Sequence, residues 1–200
     1  MSERTAEIER RTGETSVSLR LALDGGGEGT RATGVGFLDH MLDLLARHGG
    51  LDLDASVQGD LQTGSHHTVE DTGIVLGQAL DRALGERRGI VRYGHAVVPM
   101  DEARAACAID VSGRPLCAAE GFERLPPGDI AGFEHEAAEE FLRAVASAAR
   151  LTLHVELQAG TNAHHMIEAC FKAFARALRA AVAVDPSEAG VPSTKGTLTT

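Results

Sequence analysis

The triplet His-His-x-x-Glu occurs twice in the chain, as His66-His67-Thr68-Val69-Glu70 and, 98 residues later, as His164-His165-Met166-Ile167-Glu168. Each copy opens an apolar run at helical spacing. Residues i and i+3 or i+4 share a helix face, so each glutamate can reach an ion held by a preceding imidazole. Two copies imply a duplicated metal site. Imidazole nitrogens with carboxylate oxygens, and no thiolate among them, suit manganese, iron, cobalt or zinc; the two glutamates lean the set toward an octahedral ion such as manganese. Adjacent histidines diverge by about a quarter-turn on a helix, so His66 and His67 would face two ions or two neighbouring subunits. A lone histidine is more often a hydrogen-bonded structural residue, and His48, His95 and His135 read that way. Five histidines in a repeated arrangement, with His40 following Asp39, do not.

The elements that must position these groups repeat as well. Val17, Leu19, Leu21 and Leu23 alternate as on a half-buried strand, and the glycines 25–27 with Gly29 read as a hairpin turn. A phosphate-binding glycine loop would lead at once into a helix, and here Gly34 and Gly36 intervene. Leu38, Met41, Leu42 and Leu45 predict a helix over 37–48, and Leu51, Leu53, Ala55 and Val57 a strand. After Gly64 the first triplet leads a helix carrying Gly73, Leu76, Leu80 and Leu84 on one face. In the second half, Phe141, Leu142 and Val145 mark a helix, Leu151, Leu153, Val155 and Leu157 a strand, and Gly160 a turn. The second triplet then leads a helix with the stripe Ile167, Phe171, Phe174 and Leu178. Registering Leu51 on Leu151 sets His40 opposite Glu140, each 11 residues upstream, with two residues missing from the second turn. Residues 91–122 supply further strands, among them the alternation Cys107, Ile109, Val111 before the turn Ser112-Gly113-Arg114-Pro115. The pattern predicts an α+β chain whose helices are layered on one side of its sheets. It is read as one domain over 1–200, with repeat halves at about 13–90 and 91–185 and a C-terminal tail at 186–200.

Composition bounds the function. Two hundred residues with 43% hydrophobic content can bury one sizeable core or two small fused ones. No apolar run is long enough for a membrane span, and the charged start lacks the apolar core of a secretory signal, so a cytoplasmic protein with no membrane partner is expected. Cys107, Cys117 and Cys170 are odd in number and widely spaced, which fits buried free thiols rather than zinc ligands or disulfides. A net charge of −10 disfavours nucleic acid and leaves an anionic substrate dependent on local Arg and Lys or on bound cations. Two other classes use comparable ligands. A dinuclear phosphate-ester hydrolase normally supplies Asp-rich bridging carboxylates, and the two clear glutamates count against it; structural metal bridges in a non-catalytic shell are the other alternative.

Six ordered stretches carry a resemblance to a family. They are Phe37-Leu38-Asp39-His40-Met41-Leu42, His66-His67-Thr68-Val69-Glu70-Asp71, Met100-Asp101-Glu102-Ala103, Ser112-Gly113-Arg114-Pro115, the run from His164 to Leu178, and Pro192-Ser193-Thr194-Lys195-Gly196. Together they resemble imidazoleglycerol-phosphate dehydratase, a hydro-lyase of histidine biosynthesis, over about residues 14–196. No phosphatase-like segment precedes them, which is similar to the stand-alone form. The resemblance implies two βββαα halves of the ribosomal protein S5 domain 2-like fold. It further implies manganese-dependent dehydration of D-erythro-imidazole glycerol phosphate to imidazole acetol phosphate and water, with two Mn2+ per active site. The expected partner molecules are that small-molecule phosphate and further copies of the chain, a homo-oligomer of 24 subunits with sites at subunit interfaces. By the same resemblance His40, His66, His67, Glu70, His164, His165 and Glu168 are metal ligands, and Glu14, His67 and Glu168 are catalytic. Glu14, His40, His66, His67, His164 and His165 contact substrate, while Arg92, Arg114, Ser193 and Lys195 bind its phosphate. Glu140 stands where the family often has an eighth, histidine ligand. Asp71, Asp101 and Glu102 are candidates to orient ligating histidines, Asp71 foremost.

Overall fold

In a computed structural model of the chain, residues 4–198 are described. Val17, Leu19 and Leu21 are buried, and strand β2 (Thr15–Ala22) forms where their alternation predicts. It pairs antiparallel with β1 (Thr5–Arg11) and with β4 (Asp52–Gly59), setting Val17 opposite Val57 and Leu19 opposite Ala55. The short β3 (Arg31–Ala32) closes the sheet parallel to β4. Strand β1 lies upstream of residue 13: only Ala6 and Ile8 turn inward there, among charged neighbours, too sparse an alternation to announce a strand.

The second half builds the same sheet. Strands β5 (Tyr93–Met100), β6 (Ala103–Asp110), β7 (Leu116–Glu120) and β10 (Thr152–Ala159) lie in the order β5-β6-β10-β7, as β1-β2-β4-β3 do in the first. The helices are α1 (Gly36–Gly49) and α2 (His66–Leu84) in the first half, α3 (Ala137–Ala148) and α4 (Ala163–Val182) in the second. Each half therefore runs βββαβα, with one strand more, between its helices, than the shorthand βββαα counts. The largest addition breaks the symmetry between β7 and α3. The first half passes from β3 to α1 in three residues, whereas a small hairpin, β8 (Asp129–Ile130) and β9 (Phe133–Glu134), separates β7 from α3.

The halves interlock through their helices. Helix α2 covers β1 and β2, α4 covers β5 and β6, α1 packs on α4, and α3 packs on α2. Each sheet thus carries helices on one face, and the helices share one layer around a continuous core. The α2–α3 contact is close because α2 turns glycines toward its partner. A Cβ on Gly73 would stand 2.9 Å from both the Phe141 carbonyl oxygen and the Ala144 Cβ; one on Gly77 would stand 2.7 Å from the Val145 carbonyl oxygen and the Ala148 Cβ.

The glycine-rich loop is not a hairpin, since β2 has β1 and β4 as neighbours. It crosses to β3 instead. The Asp52 Oδ1 atom accepts from the backbone N–H groups of Gly26, Gly27 and Glu28 at 2.8–3.1 Å. Gly29 has φ +118° and passes so near β4 that a Cβ would lie 2.2 Å from the Leu53 carbonyl oxygen.

The three cysteines are free; Cys107 and Cys170 are buried, and burial pushes the Cys170 thiol up to about 12. Among the described residues no helix is long and apolar enough to cross a membrane. The tail is held by Arg87, which is fully buried. Its guanidinium donates to the Leu198 carbonyl, to Asp81 and, at 3.0 Å, to the Ala149 carbonyl.

Glycine-to-alanine changes in a helix ordinarily stabilise by about 1 kcal/mol. Gly36, with open space around its missing Cβ, should follow that rule, whereas Gly77→Ala should destabilise by about 1–3 kcal/mol through overpacking against α3. Denaturant midpoints of the two variants check this; a Gly77→Ala protein at least as stable as the parent would refute the close α2–α3 contact.

Candidate metal centre

The second triplet starts its helix because Asn162 caps it. The Asn162 side-chain oxygen accepts from the backbone N–H of His164 at 2.9 Å and of His165 at 3.3 Å, fixing both histidines in the first turn. The first triplet uses another device. Glu134, on the β8–β9 hairpin, accepts from the Ser65 backbone N–H at 3.2 Å and from the Ser65 hydroxyl at 2.6 Å, placing a carboxylate at the positive end of α2. The insertion that breaks the duplication therefore anchors the helix that opens with the first triplet in the other half.

His40 on α1 meets the second triplet across the helix contact. One ligand atom each from His40, His164 and Glu168 lie within 4.8 Å of one another. The His164 Nε2 to Glu168 Oε2 distance is 3.0 Å, and the His40 Nε2 to Glu168 Oε2 distance is 3.8 Å. Glu168 is only 6% exposed. Burial alone would raise its pKa, but the Lys172 ammonium, 2.5 Å from Oε1, together with His40 and His164 holds the carboxyl below its ordinary value. Two imidazole nitrogens and an ionised carboxylate, without thiolate, fit a divalent first-row cation.

In the first triplet, His66 Nε2 stands 3.8 Å from Glu70 Oε2, and both side chains are about half-exposed. The rings of His66 and His67 are inclined at 84°, as are those of His164 and His165. His67 and His165 are held apart from their neighbours by carboxylates. His67 Nδ1 lies 3.1 Å from Asp60 Oδ2, and His165 Nδ1 lies 2.7 Å from Glu102 Oε2. Such bonds favour the proton on Nδ1 and leave the Nε2 lone pair facing outward. The same bonds are the largest causes raising the pKa of each imidazole. With the backbone N–H groups of Asn162 and Thr161, His165 draws Glu102 down to about 2. Glu14, exposed in the β1–β2 turn, brings Oε1 to 3.7 Å from His67 Nε2.

The residues read as phosphate contacts come together elsewhere. Arg92, Arg114, Ser193 and Lys195 line one open groove of about 800 Å³. Arg92 is already engaged: its guanidinium grips Asp110 at 2.7 and 3.1 Å and donates to the Pro192 carbonyl at 2.7 Å, fixing the tail. Arg114 remains 61% exposed, and the Ser193 hydroxyl accepts the Lys195 backbone N–H at 3.2 Å. This groove sits at the far end of α4. The Arg92 backbone N–H bonds the Ala181 carbonyl, 17 residues beyond His164 and so about 25 Å along the helix. One chain therefore gathers His40, His164 and Glu168, pairs His66 with Glu70, and keeps His67, His165 and the anion groove apart from that cluster.

Three features escaped the sequence reading. Asp71 does not orient a histidine; it is buried, accepts from the Thr15 hydroxyl and pairs with Arg10 at 2.6 Å, tying α2 to the first hairpin. The orienting acids are Glu102, one of the three candidates, and Asp60, which was not among them. Asp60 follows the last residue of β4, seven residues before His67, and that placement was its only signal. Asn162, two residues before its triplet, carried an N-cap signature.

The family's sequence model, imidazoleglycerol-phosphate dehydratase, matches residues 33–178. The chain is 56% identical over 195 residues to the imidazoleglycerol-phosphate dehydratase of Moorella thermoacetica, covering 98% of both chains. It is 54% identical over 198 residues to that of Xanthobacter autotrophicus, covering 98% of this chain and 100% of the relative. The crystal structure of the Staphylococcus aureus enzyme matches with a TM-score of 0.81 at 40% identity, over 90% of this chain and 99% of that one. The structure from Pyrococcus furiosus also gives 0.81, at 35% identity, over 96% of this chain and 100% of that one. Matched along nearly its whole length in sequence and fold, the chain belongs to the imidazoleglycerol-phosphate dehydratase family of hydro-lyases, enzymes of histidine biosynthesis.

Proposed function

We propose that the chain dehydrates D-erythro-imidazole glycerol phosphate to imidazole acetol phosphate and water, with two manganese ions per active site, in an assembly of 24 identical subunits. The single observation that carries the shared-site part is the span along α4. The metal cluster, His164 to Glu168, lies roughly 20–25 Å along α4 from the Arg92 end of the anion groove within one chain, and a three-carbon phosphate ester with bonds of about 1.5 Å cannot bridge them. A complete site then takes its ligands from one subunit and its phosphate cradle from another.

The residues divide the work. His40, His164 and Glu168 would hold one ion, and His66 and Glu70 would begin the cradle of the other. His67 and His165, with Nδ1 tied to Asp60 and Glu102, offer Nε2 outward to ions held by neighbours. When bound, the ions supply Lewis acidity to the imidazole ring of the substrate. Arg114, Lys195 and Ser193 give the phosphate fixed cations and a hydroxyl donor, and Arg92 holds the tail that presents two of them. Dehydration breaks the C–O bond on the carbon attached to the ring and the C–H bond on the next carbon; the resulting enol tautomerises to the ketone. Glu14, beside His67, is the carboxylate assigned to these proton transfers.

Incubation of the manganese-loaded protein with D-erythro-imidazole glycerol phosphate should yield imidazole acetol phosphate with no free inorganic phosphate. Release of phosphate would instead identify a hydrolase. Glu14→Gln should retain its metal by elemental analysis and turn over about 10²- to 10⁴-fold more slowly; a fast variant would move the proton transfers to another group. Asp60→Asn should weaken manganese binding about 10- to 100-fold in equilibrium dialysis. Unchanged affinity would mean that the His67 orientation does not depend on Asp60.

A further inference from the structure

Resting on the dinuclear reading above, we infer that Glu140 is a ligand of the second ion and makes that site a hard, oxygen-rich one, unlike its twin. Helices α2 and α3 run in the same direction, since Gly73 abuts Phe141 and Ala144 while Gly77, one turn on, abuts Val145 and Ala148. Ser65 meets Glu134 in the same register. Stepping back one turn from Gly73 sets Glu70 level with Glu140, and both line one groove of about 400 Å³ together with Ile74 and Arg143. In the α1–α4 pair the corresponding residues, His40 and Glu168, stand 3.8 Å apart, and among the described residues their trio with His164 is the one whose ligand atoms already lie within 4.8 Å of one another. The duplication relates the two sets residue by residue. His66 and Glu70 correspond to His164 and Glu168 at an offset of 98, and His40 corresponds to Glu140 at the strand offset of 100.

The counterpart trio differs in charge as well as in donors. Lys172, whose ammonium neutralises Glu168 in the first trio, corresponds at the same offset of 98 to Ile74. The cation of the second groove, Arg143, donates to Glu139 at 2.9 Å. The first trio therefore offers two imidazoles and a carboxylate already paired with an ammonium. The second offers one imidazole and two carboxylates; the cation that lines their groove, Arg143, gives its hydrogen bonds to Glu139 and the Cys117 carbonyl. Oxygen-rich, doubly anionic sites favour manganese or magnesium, and imidazole-rich ones suit zinc. The two sites of one chain should consequently differ in metal selectivity.

The test uses the assembled full-length protein, stripped of metal and re-titrated with Mn2+ and with Zn2+ in equilibrium dialysis followed by elemental analysis. The parent should show two manganese sites, with zinc displacing one more readily than the other. Glu140→Gln should weaken manganese about tenfold or more at one site only, and Glu140→His should shift that same site toward zinc. His66→Ala serves as the control for the underlying reading. Loss of one site in His66→Ala with both manganese affinities unchanged in Glu140→Gln would overturn the role of Glu140 alone. Two unchanged sites in both variants would overturn the assignment of the second ion to His66 and Glu70 and the proposal with it.

Discussion

The packing of helices from opposite halves, α1 on α4 and α3 on α2, is the constraint on which the site depends. A sheet with its own two helices would leave His40 and Glu168 on separate bodies. Crossing the halves puts them 3.8 Å apart and buries Glu168 at the contact. That contact is rigid because its core is close-packed, with Leu38, Met41, Leu42 and Leu45 of α1 and Phe171, Phe174 and Leu178 of α4 all fully buried. The α2–α3 contact is tighter still, backbone approaching side chain at glycines 73 and 77.

Electrostatics decides what such a contact can hold. A carboxylate as buried as Glu168 needs a partner to stay ionised, and Lys172 supplies one even before any ion binds. The histidines that point away from their own cluster are fixed by Asp60 and Glu102 on loops, not by the helix that bears them. Their orientation thus depends on where β4 ends and where β5 turns into β6. In a chain of net charge −10, Asp60 and Glu102 each face an imidazole, Glu102 also two backbone N–H groups, and Glu168 an ammonium.

Much of this was legible in the residues. The strand alternation, the helical stripes and the two triplets lie where the periodicity set them, because each element buries one face against a shared core. The register of the strands, Leu51 on Leu151, set His40 opposite Glu140. Interactions that no local pattern encodes were not legible. Strand β1 shows only two inward apolar residues; the hairpin bearing Glu134 has no counterpart in the other half; Arg87 reads as one more surface charge in a Glu-Arg-Arg-Gly stretch, yet it is fully buried and holds the tail. Asp71, the foremost candidate to orient a histidine, turns its side chain instead toward Arg10 and Thr15.

The proposed metal chemistry and the proposed assembly meet at one point. If His67 and His165 complete ions held by neighbours, metal binding and subunit association are linked, each stabilising the other. An anomalous-scattering map from crystals grown with manganese addresses both at once. Two peaks per chain are expected, one at His40, His164 and Glu168 and one at His66 and Glu70, each also within bonding distance of a histidine Nε2 from an adjacent subunit. A map without density at either place, or with ions bound only on unrelated surface acids, would contradict the assignment of these residues as the metal centre.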